Sequence, residues 1–266
     1  MSTETPTIDS LIEIAVRHIQ GIDHDGNGGV MPKYPDFDYY PYDYLDFAEA
    51  NLQEWLSSKD DFQKENLLIS CVSNLKRALD CQIDCFLFAW GILPIVRKRN
   101  LGIDSKLSFL HESGVFRSRT VGRFLAIRNR IEHDFQKPSI EDLEALHDLV
   151  VAIVSVLHGC INDLDNSDAY FPVLNKDGEN IGKIEMRYIV EDGTWKVSWE
   201  IEGEAINCPD AIHIDLKNPS NFAKAFRVWH TIATGEAYAS YTPMIRKMPR
   251  QKNSWVDSGS GRSPRL

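Results

Sequence analysis

The spacing of apolar residues changes period partway along the chain, and no other feature constrains the fold as much. Over residues 61–90, Leu68, Cys71, Val72, Leu75, Leu79, Ile83, Phe86, Leu87 and Trp90 step by three and four, the rhythm of one buried helical stripe. Gly91 and Pro94 end that stripe, Gly by tolerating a left-handed exit and Pro by lacking the N–H that continues the ladder. Leu143, Leu146, Val150, Ile153, Val154 and Leu157 repeat the rhythm, opened by Ser139 and Asp142 in a capping-box arrangement. Past the polar run 162–168 the pattern becomes alternation. Ile184, Met186, Tyr188 and Val190 form one series and Trp195, Val197, Trp199 and Ile201 another, joined by a hairpin turn at Glu191-Asp192-Gly193. A period near 3.6 does not fit a strand and a period of 2 does not fit a helix. The expectation is an α+β chain of two domains, an N-terminal all-α helical bundle followed by a small α+β domain with an antiparallel sheet.

Shorter elements complete this outline. Ile8, Leu11, Ile12, Ala15, Val16 and Ile19 predict a first helix with Asp9 or Ser10 as its cap. The Gly-, Pro-, Asp- and Tyr-rich stretch that follows reads as irregular and without a core role, ahead of a second short helix over 45–55. Further helices are expected over 105–112 and from Val121 toward His133, because the residue before Pro138 is pushed out of helical geometry. Ile212, Ile214 and Leu216 predict another strand, and Phe222, Phe226 and Trp229 a last helix. The segments are therefore 1–60, an N-terminal helix with an irregular acidic and aromatic stretch; 61–160, the bundle; 168–245, the sheet domain; and 246–266, a disordered tail.

Charge is distributed unevenly. Residues 1–66 hold fourteen acidic and four basic side chains, an acidic excess as large as the net charge of -10. Residues 91–137 reverse it, with ten basic and four acidic side chains, so a local anion site is expected there rather than a protein that coats nucleic acid by bulk electrostatics. Five cysteines without a CxxC pair fit buried, reduced thiols better than disulfides or zinc. No apolar run approaches the roughly 20 residues that span a bilayer, and MSTETPTIDS lacks a signal-peptide layout. The expectation is a cytoplasmic protein without membrane partners.

The chemistry concentrates in LAIRNRIEHDF. Arg128 and His133 are five residues apart, about 140° of rotation on an ideal helix, so a regular helix does not bring them together. Either the helix unwinds before His133, or a second copy of the chain completes the site. Asn129 lies four residues before His133, on the same face, where its amide can orient the imidazole and select its tautomer. These types suit RNA cleavage by internal transesterification, in which the ribose 2′-OH attacks its own phosphate. A histidine with an unperturbed pKa of about 6.5 moves the proton, and a permanently charged guanidinium holds the phosphate as charge develops. The reaction needs neither metal nor cofactor. Arg130, Arg123 and Lys137 are candidate RNA contacts.

Arg128-Asn129-x-x-x-His133 resembles the R-[N/D/H]-x3-H signature of HEPN proteins. NLKRALDCQIDCFLFAWGI is similar to the long early HEPN helix, and KLSFLHESGVFRSRTVGRFLAIRNRIEHDFQKP to the segment leading into the motif. The resemblance covers about residues 61–160. It implies a helical bundle that dimerises with its motifs facing, and in many members a metal-independent ribonuclease of toxin, antiviral or RNA-processing systems, with an antitoxin or defence partner. HEPN toxins paired with a minimal nucleotidyltransferase often carry Tyr two residues after the His. Phe135 stands there and offers no hydroxyl to modify.

Other signals weigh less. Asp23, Asp25, Asn27 and Gly28 match the first half of a calcium loop, but Tyr34 replaces the closing Glu and Pro32 obstructs the exit helix, so a plain Asp/Gly turn is expected. Arg97-Lys98-Arg99 reads as a solvated turn before an RNA contact, and Trp195, Trp199 and Trp229 as core before a base-stacking platform. Two alternatives to the nuclease are a non-catalytic module that binds RNA, a nucleotide or a protein, and a toxin covered by its own acidic segment from Tyr34 to Tyr44.

Overall fold

A computed structural model describes residues 5–23, 27–116 and 140–233, and the architecture is α+β with a helical N-terminal region. Two compact units are present, and they do not follow chain order. One gathers the described parts of Met1–Pro32, Trp90–Val115 and Asn162–Leu266, and the other those of Lys33–Ala89 and Phe116–Ile161.

The first unit is built on an antiparallel meander. Its strands are β1 (Asn27–Gly28), β2 (Asp168–Leu174), β3 (Asn180–Ile189), β4 (Thr194–Ile201) and β5 (Cys208–Asp215), in the spatial order β1-β2-β3-β4-β5. Helices α1 (Ile8–His18), α4 (Leu93–Lys98), α5 (Ile103–Glu112) and α7 (Pro219–Ala233) belong to the same unit. The alternating residues do as their period requires. Ile184, Met186 and Tyr188 of β3 and Trp195, Val197 and Trp199 of β4 are buried, facing Phe222, Phe226 and Trp229 of α7. Trp90 joins this core, with ring centroids 4.7 Å from Phe226, 5.1 Å from Tyr188 and 5.3 Å from Trp229. Three polar ring atoms of this core have backbone partners, while among the described residues the buried Trp195 indole nitrogen has none. Tyr188 donates its hydroxyl hydrogen to the Trp90 carbonyl, Trp199 its indole N–H to Ile206 O at 2.9 Å, and Trp229 to Asn166 O at 3.1 Å. The three strand and helix tryptophans are core, not a base-stacking platform.

Gly91 has φ +65, the left-handed exit its position predicts, and a Cβ there would lie 2.8 Å from Val190 O. Pro94 does more than stop a helix, since it sits in the first turn of α4, where a missing N–H costs nothing. The cap of α1 is Thr7, not Asp9 or Ser10. Its side chain accepts from the Ser10 N–H at 3.3 Å, and the helix begins one residue later.

The glycine-rich stretch read as irregular is partly annealed to the sheet edge. Leu174 N donates to Gly21 O at 2.6 Å, Asp23 N to Pro172 O at 2.9 Å, and Asn27–Gly28 pairs with Ala169 and Asp168. A Cβ at Gly21 would meet Leu174 O at 2.0 Å and one at Gly29 would meet Leu164 O at 2.1 Å, so the bare backbone is what lets this segment approach. Strand β2 itself does not alternate cleanly, because Phe171, Pro172 and Val173 are consecutively buried beside a register shift between Val173 and Leu174.

The second unit contains α2 (Pro41–Ser57), α3 (Asp61–Ala89) and the part of α6 (Ile140–Asn162) up to Ile161. Helix α2 is longer than its apolar pattern predicts. Pro41 opens it, and the Tyr40 N–H donates to the Asp43 carboxylate at 2.7 Å. A three-residue link returns the chain along α3 in a helical hairpin. Asn74 Nδ2 donates to Asn51 Oδ1 at 3.1 Å, Gln63 Nε2 donates to Glu54 Oε1 at 2.8 Å, and Lys64 lies over the Trp55 ring. Helix α6 is long and apolar enough to cross a bilayer by length and composition. Its residues Leu143, Leu146, Val150, Ile153, Val154 and Leu157 are nevertheless buried on one side, the pattern of a core helix.

Candidate functional site

Arg128, Asn129 and His133, with Arg123, Arg130 and Lys137, lie outside the described residues, as do Ser139 of the expected capping box, residues 234–245 of the expected sheet domain and the expected tail 246–266. The described chain leads toward the motif through α5 and leaves it through α6. After α5, Gly114 takes φ +80, and a Cβ there would press within 2.9 Å of Arg227 Cγ. Arg97, Lys98 and Arg99 are exposed at the end of α4, where a helix C-terminus favours cations. His147 lies half-buried on α6 with Nδ1 3.7 Å from Asp148 Oδ1.

Among the described residues, two concave regions are candidates for binding. In the helical unit, a cavity of about 500 Å³ is walled by Asp36, Asp38, Asp80 and Asp84 with Arg77, and by the rings of Tyr39 and Tyr44. Four carboxylates against one guanidinium repel a phosphate group. The Tyr-rich segment is held within its own unit. Tyr34 stacks on His158 at 6.5 Å, Tyr42 meets the same ring edge-on at 6.1 Å, and Cys81 Sγ reaches Tyr39 O at 3.7 Å.

In the sheet unit, a cavity of about 530 Å³ lies on the polar face of β2, β3 and β4, lined by Asp168, Tyr170, Glu185, Arg187, Lys196 and Ser198 among others. Sequence reading passed over these residues. Their signal was the other parity of the alternation that marks the core, but only the strand register tells which of them are neighbours.

Several other titratable groups are shifted by their surroundings. Hydrogen bonding with Cys85 holds the Cys81 thiol below its ordinary pKa and pushes Cys85 upward; none of the five cysteines is in a disulfide. Burial raises the Asp163 carboxyl to about 6 and lowers His230 to about 4. Their atoms approach to 3.8 Å, yet with His230 neutral wherever Asp163 is ionised, this contact is not an ion pair. Burial disfavours the Glu204 carboxylate, but hydrogen bonds from Arg17 and His18 outweigh it, and its pKa falls below the ordinary value.

Comparison with protein-family models, with curated proteins and with solved structures finds no match to this chain.

Proposed function

We propose that this chain is a metal-independent endoribonuclease of the HEPN type, acting as a homodimer in a toxin or antiviral defence setting. The observation that supports it is Arg128-Asn129-x-x-x-His133, embedded in flanks that resemble the same domain. In this reading Arg128 holds the scissile phosphate and stabilises the charge that develops on it. His133 takes the proton of the attacking 2′-OH or delivers one to the leaving 5′-oxygen, and Asn129 keeps its ring in the required tautomer. The 2′-oxygen–phosphorus bond forms as the bond to the 5′-oxygen breaks, leaving a 2′,3′-cyclic phosphate and a 5′-hydroxyl. The helical unit leaves Leu56, Phe62 and Ile69 at least 65% exposed, which supports a dimer, because such side chains are ordinarily covered.

The test is incubation of purified wild-type protein and His133→Ala with structured and single-stranded RNAs in excess EDTA, reading fragment ends. Cleavage by wild type with cyclic-phosphate ends, lost by at least a hundredfold in His133→Ala, is the expected result. RNA binding without cleavage at any protein concentration would sink the nuclease and leave a binding module.

A further inference from the structure

The polar face of the sheet carries an arrangement that stabilising the fold does not call for. Strand register sets Asp168, Arg187, Lys196 and His213 in one row across β2, β3, β4 and β5, each directly opposite the next. Like charges directly opposite one another destabilise a sheet, so Arg187 beside Lys196 is costly unless an anion sits over them. The protein supplies only part of that anion. Asp168 Oδ2 lies 3.3 Å from Arg187 Nε, and in the next row Glu185 is engaged by Lys183 Nζ at 2.8 Å and by the Ser198 hydroxyl at 3.3 Å. Among the described residues Lys196 has no ion-pair partner. Tyr170 stands opposite Glu185 on the same face, so the cavity combines two cations, a ring and two acceptor groups.

The mixture narrows the ligand. Asp168 and Glu185 repel a uniformly anionic surface such as a membrane, but they accept hydrogens from ribose hydroxyls and base amino groups. Neighbouring strands lie about 4.8 Å apart and residues about 3.3 Å apart along each, which puts Tyr170 on β2 roughly 12 Å from Lys196 on β4, one row away, with Arg187 on the strand between. A base on the ring and its phosphate on the cations fit within the reach of one nucleotide. The chain's net charge of -10 opposes nonspecific attraction of a polyanion, so such a site has to act through fixed contacts. We propose that the polar face of this sheet binds single-stranded RNA, with a phosphate between Arg187 and Lys196 and a base against Tyr170. The site concerns binding alone and does not depend on whether the chain cleaves RNA.

The experiment uses the full chain carrying His133→Ala, so that RNA stays whole, and a fluorescein-labelled 12-nucleotide mixed-sequence RNA followed by anisotropy across a salt series. Lys196→Glu should weaken binding by at least tenfold, and Lys196→Arg by less than twofold. Tyr170→Ala should weaken it by roughly fivefold or more, as the loss of one stacked base does, while Tyr170→Phe retains it. Lys196→Gln should lower the slope of log affinity against log salt by about 0.7, the change expected for one lost phosphate contact. All these side chains are on the sheet's polar face, and unchanged melting temperatures would confirm intact folds. The proposal is overturned if the parent binds no RNA at 100-fold molar excess of protein, or if Lys196→Glu binds as tightly as the parent. It also falls if Lys196→Glu weakens binding while Tyr170→Ala does not, which would reduce the site to an anion patch. Because binding is read in the His133→Ala background, loss of the sheet site and loss of nuclease activity are separate results.

Discussion

The sheet unit and the helical unit treat their large apolar side chains differently. The sheet unit encloses Trp90, Trp195, Trp199, Trp229, Phe109, Phe171, Phe222 and Phe226 almost completely, and its one markedly exposed large apolar residue among those described is Met31. The helical unit leaves Tyr39, Tyr42, Phe47, Leu56, Phe62 and Ile69 exposed. A meander covered by one helix can bury alternate residues of every strand, whereas a long helical hairpin has an outer surface that only another surface can cover. The sheet unit covers its own large side chains, so self-association should draw on the helical unit.

The largest expected effect tests the first half of that contrast. Trp229→Ala should destabilise the protein by about 3–5 kcal/mol in urea unfolding, as removal of a buried aromatic does. A loss under about 1 kcal/mol would mean that the aromatic core is not what holds the sheet unit.

Next come Asp163 and His230, both half-buried in the sheet unit. Asp163 titrates at about 6 in the fold against an ordinary 3.8, so it adds stability as pH falls through that window. His230 titrates at about 4 against an ordinary 6.5, so it removes stability as pH falls between those values. In the wild type the two trends offset. Asp163→Asn should therefore lose roughly 1–3 kcal/mol more than wild type between pH 7 and pH 4.5, and His230→Gln should change in the opposite direction. Urea midpoints at both pH values decide it, and identical slopes for the two variants would contradict the assignment.

The helical unit supplies the third test. Phe62 and Ile69 are seven residues apart, on one exposed face of α3. Phe62→Asp with Ile69→Asp should weaken self-association by about tenfold or more in sedimentation equilibrium, while costing the monomer no more than about 0.5 kcal/mol. If the double variant instead unfolds, the contrast between the units is broken. The smallest effect belongs to Glu204, whose replacement by Gln should cost about 1 kcal/mol near neutral pH. Its lowered pKa means that the wild-type advantage is present above the ordinary carboxylate value and disappears as pH falls through the folded one.

Much of the architecture was legible in the residues themselves. The stripe ending at Gly91 is α3, the stripe from Leu143 to Leu157 is α6, and the two alternating series around Gly193 are β3 and β4. These features are local, and their periods survive any tertiary context. Strand β2 was harder to see because Pro172 and the neighbouring bulge interrupt its alternation. The pairing of residues 21–23 and 27–28 with β2 was not legible at all, since the glycines that permit it look like those of any loop. The Arg128-Asn129-x-x-x-His133 pattern could be read only as a sequence pattern, while the polar sheet face had visible residue types but no visible neighbours.

By itself, the sequence determined where the longest helical stripes and the two alternating strands lie and which of their side chains are buried. The tertiary structure alone decided that Trp90–Val115 joins the sheet unit although it follows the longest helix, and that Arg187 and Lys196 stand side by side. The physical reason is range. Periodicity and capping arise among residues a few positions apart, whereas the burial of Trp90 against Trp195 and Trp229, and the register that aligns β3 with β4, come from contacts between distant parts of the chain.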